Sequence, residues 1–353
     1  MKLDWLSEAF ERDGYICGDD IMVPVFLALR LEKPLLVEGE PGVGKTEIAK
    51  VLARVFSTDL IRLQCYEGLD ENRALYEWNY QRQLLRIQIG RRAAGEKETR
   101  GAVAAPGAGA GEAPGAVAEG DLFSEEYLLE RPLLRALRAE RRPVLLIDEV
   151  DKCDEEFEAF LFEVLSDFQV SIPELGTVRA RQVPIVVLTS NRARELSDGL
   201  KRRCLFLFID FPDVAKELRI IRAKVPELLP ALAAQVARAV ALLRAGLDLR
   251  KKPSVAETLD WARALVALDV PALAPEVVDR TASLLFKNRD DLQAFMGHMG
   301  GQALVEAAQA GDAGQAAGDA GQAGSMGQPP ATAPTTAAGP APRQKPPTGR
   351  RGK

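Results

Sequence analysis

The chain has 353 residues, a formal net charge of −5 and a sequence pI near 5.4. This length fits one large or two ordinary domains, and the acidic balance does not point to nucleic acid as the main partner. The N-terminus lacks a signal-peptide pattern and no apolar run is long enough to span a bilayer, so we expect a cytoplasmic protein without a membrane span.

The cysteines and the histidine exclude several kinds of site. Cys17, Cys65, Cys153 and Cys204 are scattered without C-x-x-C pairing, which argues against a zinc site and against a disulfide framework. His298 is the only histidine, so metal or triad chemistry based on histidine is disfavoured. We expect reduced and mostly buried thiols.

The most informative segment begins at residue 39. It follows an apolar run typical of a buried strand and precedes a segment with helical spacing. It fits the phosphate-loop pattern G-x-x-x-x-G-K-[ST], in which backbone N–H groups and a helix N-terminus bind phosphate. The candidate nucleotide-binding residues are Gly39, Glu40, Pro41, Gly42, Val43, Gly44, Lys45 and Thr46. Lys45 would reach the β and γ phosphates of ATP, and Thr46 would offer its hydroxyl to Mg²⁺. The alternative is a glycine-rich turn without a ligand.

Short apolar strands alternate with helices through the first two thirds of the chain. The expected strands are Leu60–Cys65, Pro143–Ile147, Pro184–Thr189 and Leu205–Ile209, with helices over 125–138 and 155–168. This alternation predicts an α/β fold with a mainly parallel sheet covered by helices on both faces. From 215 to about 295 the pattern is only helical, which predicts a small α-helical domain.

Composition sets the expected domain boundaries. Residues 1–211 form the α/β nucleotide-binding domain, interrupted by an Ala/Gly-rich flexible insertion at 90–120. Residues 212–299 form the helical domain. Residues 300–353, rich in Ala, Gly and Pro, are expected to be a disordered tail with a basic tip.

The segment 144–149 is predicted to be a buried strand that ends in two acids, Asp148 and Glu149. At the carboxyl end of a parallel strand such acids face the ligand crevice. Asp148 would hold Mg²⁺, mostly through water, and Glu149 would act as general base on the attacking water. The alternative is a solvated acidic turn.

Two further segments follow later strands. Asn191, at a strand tip, could orient the hydrolytic water or could cap the next helix. Arg202 and Arg203 precede the last strand, where an arginine could enter a neighbouring subunit's site or could end a solvated basic helix.

With these residues, about Gly14 to Phe295 resembles the AAA+ ATPases, specifically the MoxR family. The segment 155–173 resembles the helix and hairpin of MoxR proteins, and 66–80 resembles the second-helix insertion of that clade. The set is most similar to MoxR-type proteins encoded with carbon monoxide dehydrogenase and related molybdenum hydroxylases (the CoxD type).

The resemblance implies an AAA+ P-loop core with a C-terminal α-helical lid domain. It also implies a chaperone-like ATPase that assembles as a homo-oligomeric ring, commonly a hexamer. A von Willebrand factor A-domain protein would be its partner, and a metalloenzyme undergoing metal-cofactor insertion would be its client. Arg203 matches the arginine-finger position, with Arg202 as the neighbouring candidate. Tyr15 and Ile16 match the segment beside the adenine.

The chain departs from the family in its lid. The segment 251–257 lacks the arginine expected there as second sensor, which leaves Lys251 or Lys252 as a weak substitute. Trp78 and Tyr80 could grip a client, although alternating aromatic residues are typical of hairpin packing.

Two other functions use the same nucleotide site. One is a nucleic-acid motor or loader, which only the basic tail supports. The other is a nucleotide-gated scaffold with negligible turnover, which the presence of Glu149, Asn191 and Arg203 disfavours.

Overall fold

The computed structural model describes residues 1–98, 123–173 and 175–310, with the backbone alone over 90–98. Its helices are α1 (Leu3–Arg12), α2 (Asp19–Leu31), α3 (Lys45–Val55), α4 (Glu71–Ala74), α5 (Tyr80–Glu98), α6 (Pro132–Arg138), α7 (Glu155–Asp167), α8 (Asp198–Arg203), α9 (Val214–Lys224), α10 (Pro230–Gly246), α11 (Val255–Ala267), α12 (Pro275–Thr281) and α13 (Arg289–His298). Its strands are β1 (Leu35–Gly39), β2 (Leu60–Gln64), β3 (Tyr76–Trp78), β4 (Leu128–Glu130), β5 (Val144–Asp148), β6 (Gln169–Ile172), β7 (Gly176–Arg179), β8 (Ile185–Ser190) and β9 (Leu205–Ile209).

Five strands form a parallel sheet in the order β2-β5-β8-β1-β9. Every residue of β5 and β8 is buried, as near-continuous apolar runs in a parallel sheet require. The predicted parallel sheet is therefore confirmed. Because all five strands run the same way, their carboxyl ends meet at one edge of the sheet.

A separate hydrophobic core covers each face of this sheet. On one face α1, α2 and α3 bury Leu6, Phe10 and Ile48 against β1 and β5. On the other face α6, α7 and α8 bury Leu133 and Leu161. The sheet is thereby fixed between two helical layers, which leaves only its ends open for ligands.

Two antiparallel hairpins, β3–β4 and β6–β7, extend from this domain. Trp78 is buried at the first hairpin, with its ring centroid 6.0 Å from that of Tyr76 and 5.4 Å from that of Phe123. Trp78 therefore packs within the hairpin. Tyr80 begins α5 and is 61% exposed, so it faces solvent.

The helical domain has its own core, centred on Trp261 of α11, which is fully buried. The indole N–H of Trp261 donates to the hydroxyl of Thr281, 2.8 Å away, so its one polar atom is satisfied. No helix in the described ranges is both long enough and apolar enough to cross a membrane.

Two expected boundaries are wrong at their edges. Residues 300–309 are helical, and Leu304, Val305 and Ala308 are buried in the core of the helical domain. Alanine-rich composition suggested a tail, but alanine is also the strongest helix former and these three residues share one helix face. Residues 90–98 continue α5 instead of starting the insertion, because Arg, Ala, Glu and Lys also favour helix. The remainder of the insertion, 99–122, and the tail from 311 lie outside the described residues.

A buried ion pair joins the helices of the lid domain. Arg244 donates to both carboxylate oxygens of Glu217, at 2.6 and 2.8 Å, and to the carbonyl of Pro253 at 2.7 Å. Its guanidinium lies 4.8 Å from the ring centroid of Phe211, in the segment that links the two domains. Thr258 also donates to Glu217, at 2.8 Å. This network connects α9, α10 and α11 to the interdomain segment.

We expect Arg244→Ala to lower the free energy of unfolding by about 3–5 kcal/mol, because Glu217 would keep a buried charge without a partner. The double variant Arg244→Met/Glu217→Leu removes both charges and should lose much less. Urea denaturation followed by circular dichroism measures both. An unchanged midpoint for Arg244→Ala would show that the pair does not hold the lid together.

Candidate functional site

The phosphate-loop segment joins β1 to α3 at the carboxyl edge of the sheet. Gly42 and Gly44 have φ values of 80° and 100°, which residues with a Cβ adopt at a cost. A Cβ on Gly42 would also overlap with the side chain of Ser254. The glycines are therefore required by backbone conformation and by the close approach of the lid.

Lys45, the first residue of α3, is buried with its ammonium turned back into the loop. Its Nζ donates to the carbonyls of Gly39 and Glu40, both at 2.8 Å. Burial lowers the pKa of Lys45, while the nearby carboxylates, first Asp151 and then Glu40, oppose that shift. The ammonium of Lys45 is thus held by two carbonyl hydrogen bonds that phosphate oxygens could replace. This arrangement suits the loop to bind phosphate.

Asp148, the last residue of β5, is buried and joined to three elements. One carboxylate oxygen, Oδ1, accepts from the hydroxyls of Thr46 at 3.1 Å and Thr189 at 2.5 Å. The other oxygen, Oδ2, lies 2.6 Å from the guanidinium of Arg62. The structure therefore brings Thr46 and Asp148 together, as the sequence predicted.

This donor set fits Mg²⁺. The hydroxyl of Thr46 and the carboxylate of Asp148 are hard oxygen donors, the kind that magnesium takes, with waters and phosphate completing its shell. The described residues contain no cluster of three or more His, Cys, Asp or Glu side chains that could hold a metal by themselves.

Glu149 follows with a φ of 58°, in the left-handed region that side chains rarely adopt. Its carboxylate accepts from Gln64 at 3.1 Å, from Lys152 at 2.5 Å and from the amide of Asn191 at 3.4 Å. The backbone conformation turns the carboxylate toward the end of β8, so Glu149 and Asn191 lie together. Unusual backbone conformations of this type concentrate at functional sites.

Three polar residues of the site were not found from the sequence. Thr189 donates to Asp148 and accepts from the backbone N–H of Glu149 at 2.9 Å. Arg62 and Gln64 of β2 bind Asp148 and Glu149. The available signal was polarity inside strands that are otherwise apolar, at positions near their carboxyl ends.

Asp151 fixes the segment after β8. It is buried, and its Oδ2 accepts from the backbone N–H groups of Asn191 at 3.2 Å and Ala193 at 2.8 Å. Its other oxygen is buried without a hydrogen-bond partner. The segment carrying Asn191 is thus held against the loop that follows Glu149.

A cavity of about 350 Å³ lies beside the phosphate loop. Tyr15 and Ile16 line it on one side, together with Gly42 to Gly44 of the loop. Lid residues close the other side, namely Ile220, Lys224, Val255, Ala256, Leu259 and Arg263. Burial raises the pKa of the Tyr15 hydroxyl above its ordinary value, so this wall stays neutral. A mostly apolar slot next to a phosphate loop, with Lys224 and Arg263 on its lid side, suits a nucleotide base.

The lid reaches the phosphate loop through the N-terminus of α11. The N–H of Ala256 donates to the carbonyl of Gly42 at 3.3 Å, and Ser254 packs on Gly42. Lys251 instead pairs with Glu257, at 3.4 Å, and Lys252 is exposed. Burial alone would raise the pKa of Glu257, but hydrogen bonds from Ser254 lower it. Neither lysine is therefore bonded to the phosphate loop.

Arg202 and Arg203 lie at the end of α8. The guanidinium of Arg203 donates to the Ser166 hydroxyl and sits 3.2 Å from the ring centroid of Phe162, while Arg202 is exposed. Within the described part of the chain, neither has a hydrogen bond or ion pair to the phosphate loop, Asp148 or Glu149. The structure does not bring them into the site of their own chain.

The cysteines are all free. Cys17, Cys65 and Cys153 are buried and Cys204 is partly buried, as expected. A hydrogen bond between the thiols of Cys65 and Cys153 raises the pKa of Cys65 and lowers that of Cys153.

Comparison with known proteins identifies the core. The model of the ATPase family associated with various cellular activities (AAA) matches residues 35–212, just over half of the chain. No curated protein matches the chain. Among solved structures, the chain is similar to Thermotoga maritima RuvB, a Holliday junction branch migration motor, with 17% identity and a TM-score of 0.44 over 79% of this chain and 72% of that one. A point variant of the same protein matches with 15% identity and a TM-score of 0.43, over 83% and 73% of the two chains. Similarity at this level does not extend to function.

We expect Thr189→Val to lower kcat for ATP hydrolysis about tenfold or more. The substitution leaves the N–H of Glu149 without its partner, at about 1–3 kcal/mol, and leaves Thr46 as the remaining hydroxyl donor to Oδ1 of Asp148. Thr189→Ser keeps the hydroxyl and should stay near the wild-type rate. Steady-state phosphate release measures both, and equal rates for the two variants would exclude this role.

Proposed function

The chain belongs to the AAA family of ATPases, and we propose that it is a MoxR-type motor whose Mg²⁺-dependent ATP hydrolysis remodels a protein client. The observation that carries the hydrolysis step is the convergence of Lys45, Asp148, Glu149 and Asn191 at one edge of the sheet. The proposed client is a metalloenzyme in cofactor assembly, specifically a molybdenum hydroxylase such as carbon monoxide dehydrogenase. That choice of client rests on the resemblance of the 66–80 and 155–173 segments.

Each residue has a distinct part in the proposed hydrolysis. The N–H groups of residues 42–46 and the ammonium of Lys45 bind the phosphates. Thr46 and Asp148 would hold Mg²⁺, which when bound neutralises charge on the phosphate oxygens. Glu149 takes a proton from the attacking water, and Asn191 keeps the Glu149 carboxylate and that water aligned.

Two contacts favour Glu149 as the base. Gln64 and Asn191 approach its carboxylate with amide N–H groups, which fix its direction without moving a proton. Lys152 holds the same carboxylate from the solvent side, and this hydrogen bond raises the pKa of Lys152. A carboxylate held in a fixed direction at the edge of the sheet suits proton abstraction.

We expect Glu149→Gln to lower kcat roughly 100-fold or more with ATP affinity nearly unchanged, because general-base catalysis contributes about 10²–10⁴-fold. Single-turnover hydrolysis and equilibrium binding of ATP measure the two effects. Glu155→Gln is the matched control, since Glu155 is an exposed acid in the first turn of α7. Equal rates for Glu149→Gln and wild type would exclude Glu149 as the base.

The same variant tests the client. In a pull-down with ATP and Mg²⁺, the Glu149→Gln variant should keep a purified immature molybdenum hydroxylase bound. The Lys45→Ala variant should not bind it. Wild-type protein should increase the activity of that hydroxylase only when ATP is hydrolysed. DNA-stimulated ATPase activity that is lost on deleting residues 340–353 would instead support the nucleic-acid motor.

We further propose a homo-oligomeric ring, a hexamer in the MoxR pattern, with a von Willebrand factor A-domain partner. The position of Arg203 on α8, without a bond to its own phosphate loop, supports a role at the site of a neighbouring subunit. An arginine finger of this type neutralises charge in the transition state. Of the two aromatic residues considered for gripping a client, Tyr80 is exposed at the start of α5 and Trp78 is buried, so Tyr80 is the candidate that we propose.

Mixing variants tests the shared site. Arg203→Ala subunits and Lys45→Ala subunits should each be inactive alone and should recover ATPase activity when mixed, because one interface then combines an intact loop with an intact arginine. Native mass spectrometry confirms that mixed oligomers form. Mixed rings without recovery would contradict a finger in trans, and full activity of Arg203→Ala would move the role to Arg202 or remove it.

A further inference from the structure

Arg192, the residue after Asn191, is bonded to the phosphate loop of its own chain. Its guanidinium lies 3.1 Å from a carboxylate oxygen of Glu40. The same guanidinium is 5.1 Å from the ring centroid of Phe208 on β9. None of the roles described above uses this side chain.

The backbone conformation at Arg192 turns its side chain toward the phosphate loop. Its φ is 59°, a left-handed conformation that residues with side chains rarely adopt. Asp151 holds the flanking N–H groups of Asn191 and Ala193, and the N–H of Arg192 donates to the Ser190 hydroxyl at 3.0 Å. The hydrogen bonds to Asp151 and Ser190 therefore hold Arg192 at a positive φ that it would not favour by itself.

Two contacts link Arg192 to residues that are predicted to surround a terminal phosphate. Its partner Glu40 presents its backbone carbonyl to the ammonium of Lys45 at 2.8 Å, and that ammonium is the group that reaches the γ phosphate. On its other side, Asn191 contacts the carboxylate of Glu149. Arg192 is thus linked through Glu40 to the phosphate-binding lysine, and through its chain neighbour Asn191 to the general base.

The bond between Arg192 and Glu40 is exchangeable. The two side chains are 49% and 47% exposed, and ion pairs of such exposure contribute little to stability. A terminal phosphate carries more negative charge than a carboxylate and accepts parallel hydrogen bonds from a guanidinium. Phosphate would thus compete effectively with Glu40.

The lid arginine in the cavity lining, Arg263, is paired with Asp260 at 3.1 Å. Ser254 and Ala256 are the lid residues that touch Gly42 of the loop, and Lys251 is paired with Glu257. The lid residues that touch Gly42 therefore carry no guanidinium, whereas Arg192 presents one to the loop from the α/β domain.

We propose that Arg192 is a phosphate-binding residue acting in cis, which exchanges Glu40 for the terminal phosphate of ATP and so distinguishes ATP from ADP. It forms hydrogen bonds to phosphate oxygens and no covalent bond. This inference rests on the ATP hydrolysis of the proposed function and is independent of the client.

Equilibrium binding of ADP and of a non-hydrolysable imido analogue of ATP tests the proposal. Arg192→Ala should raise the Kd for the ATP analogue roughly 10- to 100-fold and the Kd for ADP less than about twofold. Only the analogue carries the terminal phosphate that Arg192 would bind. Arg192→Lys should recover part of the loss. Equal weakening of both nucleotides, or no weakening, would overturn the proposal.

Arg82→Ala is the matched control. Arg82 pairs with Glu126 at 2.8 Å, lies 5.7 Å from the ring centroid of Tyr127 and is 54% exposed, so its surroundings resemble those of Arg192. The Arg82→Ala variant should bind both nucleotides as the wild type does. The denaturation midpoints of Arg82→Ala and Arg192→Ala should agree with that of the wild type. ADP binding shows that the nucleotide site is intact, and this readout does not depend on the client.

A double-mutant cycle tests the exchange. Glu40→Gln frees Arg192 and should tighten binding of the ATP analogue severalfold in the wild-type background. In the Arg192→Ala background the same substitution should have a clearly smaller effect. Equal effects in both backgrounds would show that Glu40 acts only through its own charge and would overturn the exchange.

Action in cis is tested separately. Arg192→Ala subunits mixed with Lys45→Ala subunits should not recover ATPase activity, since each intact loop would still lack its own arginine. Recovery in such mixtures would show that Arg192 acts across an interface and would overturn the assignment.

Discussion

The site depends on the parallel alignment of β1, β5 and β8, which ends three strands at one edge of the sheet. The hydrogen bonds of Asp148 turn this alignment into a site, because they join α3, β2 and β8 to the end of β5. Each partner comes from a different crossover of the chain. The carboxylate can be satisfied only when all of these elements are in register.

Because its polar groups are buried, this arrangement costs free energy unless every group has a hydrogen-bond partner. Asp148, Asp151 and Thr189 are each at most 3% exposed, and buried polar groups cost free energy when a partner is missing. The apolar cores on both faces of the sheet supply the stability that offsets this cost. Rigid helices and strands around a polar edge hold the hydrolytic groups at fixed distances, which electrostatic catalysis requires.

Features that depend on a local sequence pattern could be predicted from the sequence. Strands of continuous apolar residues, the glycine loop and the acids after β5 each have a local signature, and the structure has the strands and the loop at those positions. The partners Thr189, Arg62 and Gln64 could not be assigned, because strand order β2-β5-β8 is a tertiary property. The helix at 300–309 was missed for a different reason, since alanine-rich composition fits both a tail and a helix that packs into the helical domain. Burial of Leu304, Val305 and Ala308 distinguishes the two.

The lid is coupled to the same edge of the sheet through backbone contacts. Ser254 packs on Gly42 at a position where a Cβ would overlap, so any rearrangement of the phosphate loop must move α11 or be opposed by it. The buried pair of Arg244 and Glu217 ties α11 to α9 and α10, and charged pairs in the interior resist partial separation because each partner alone would be desolvated. A displacement at Gly42 is therefore transmitted to the lid helices together, since the network leaves α11 little freedom to move by itself. In this chain the contact between the phosphate loop and the lid is a close-packed contact at Gly42, while the guanidinium proposed to bind the terminal phosphate, that of Arg192, belongs to the α/β domain.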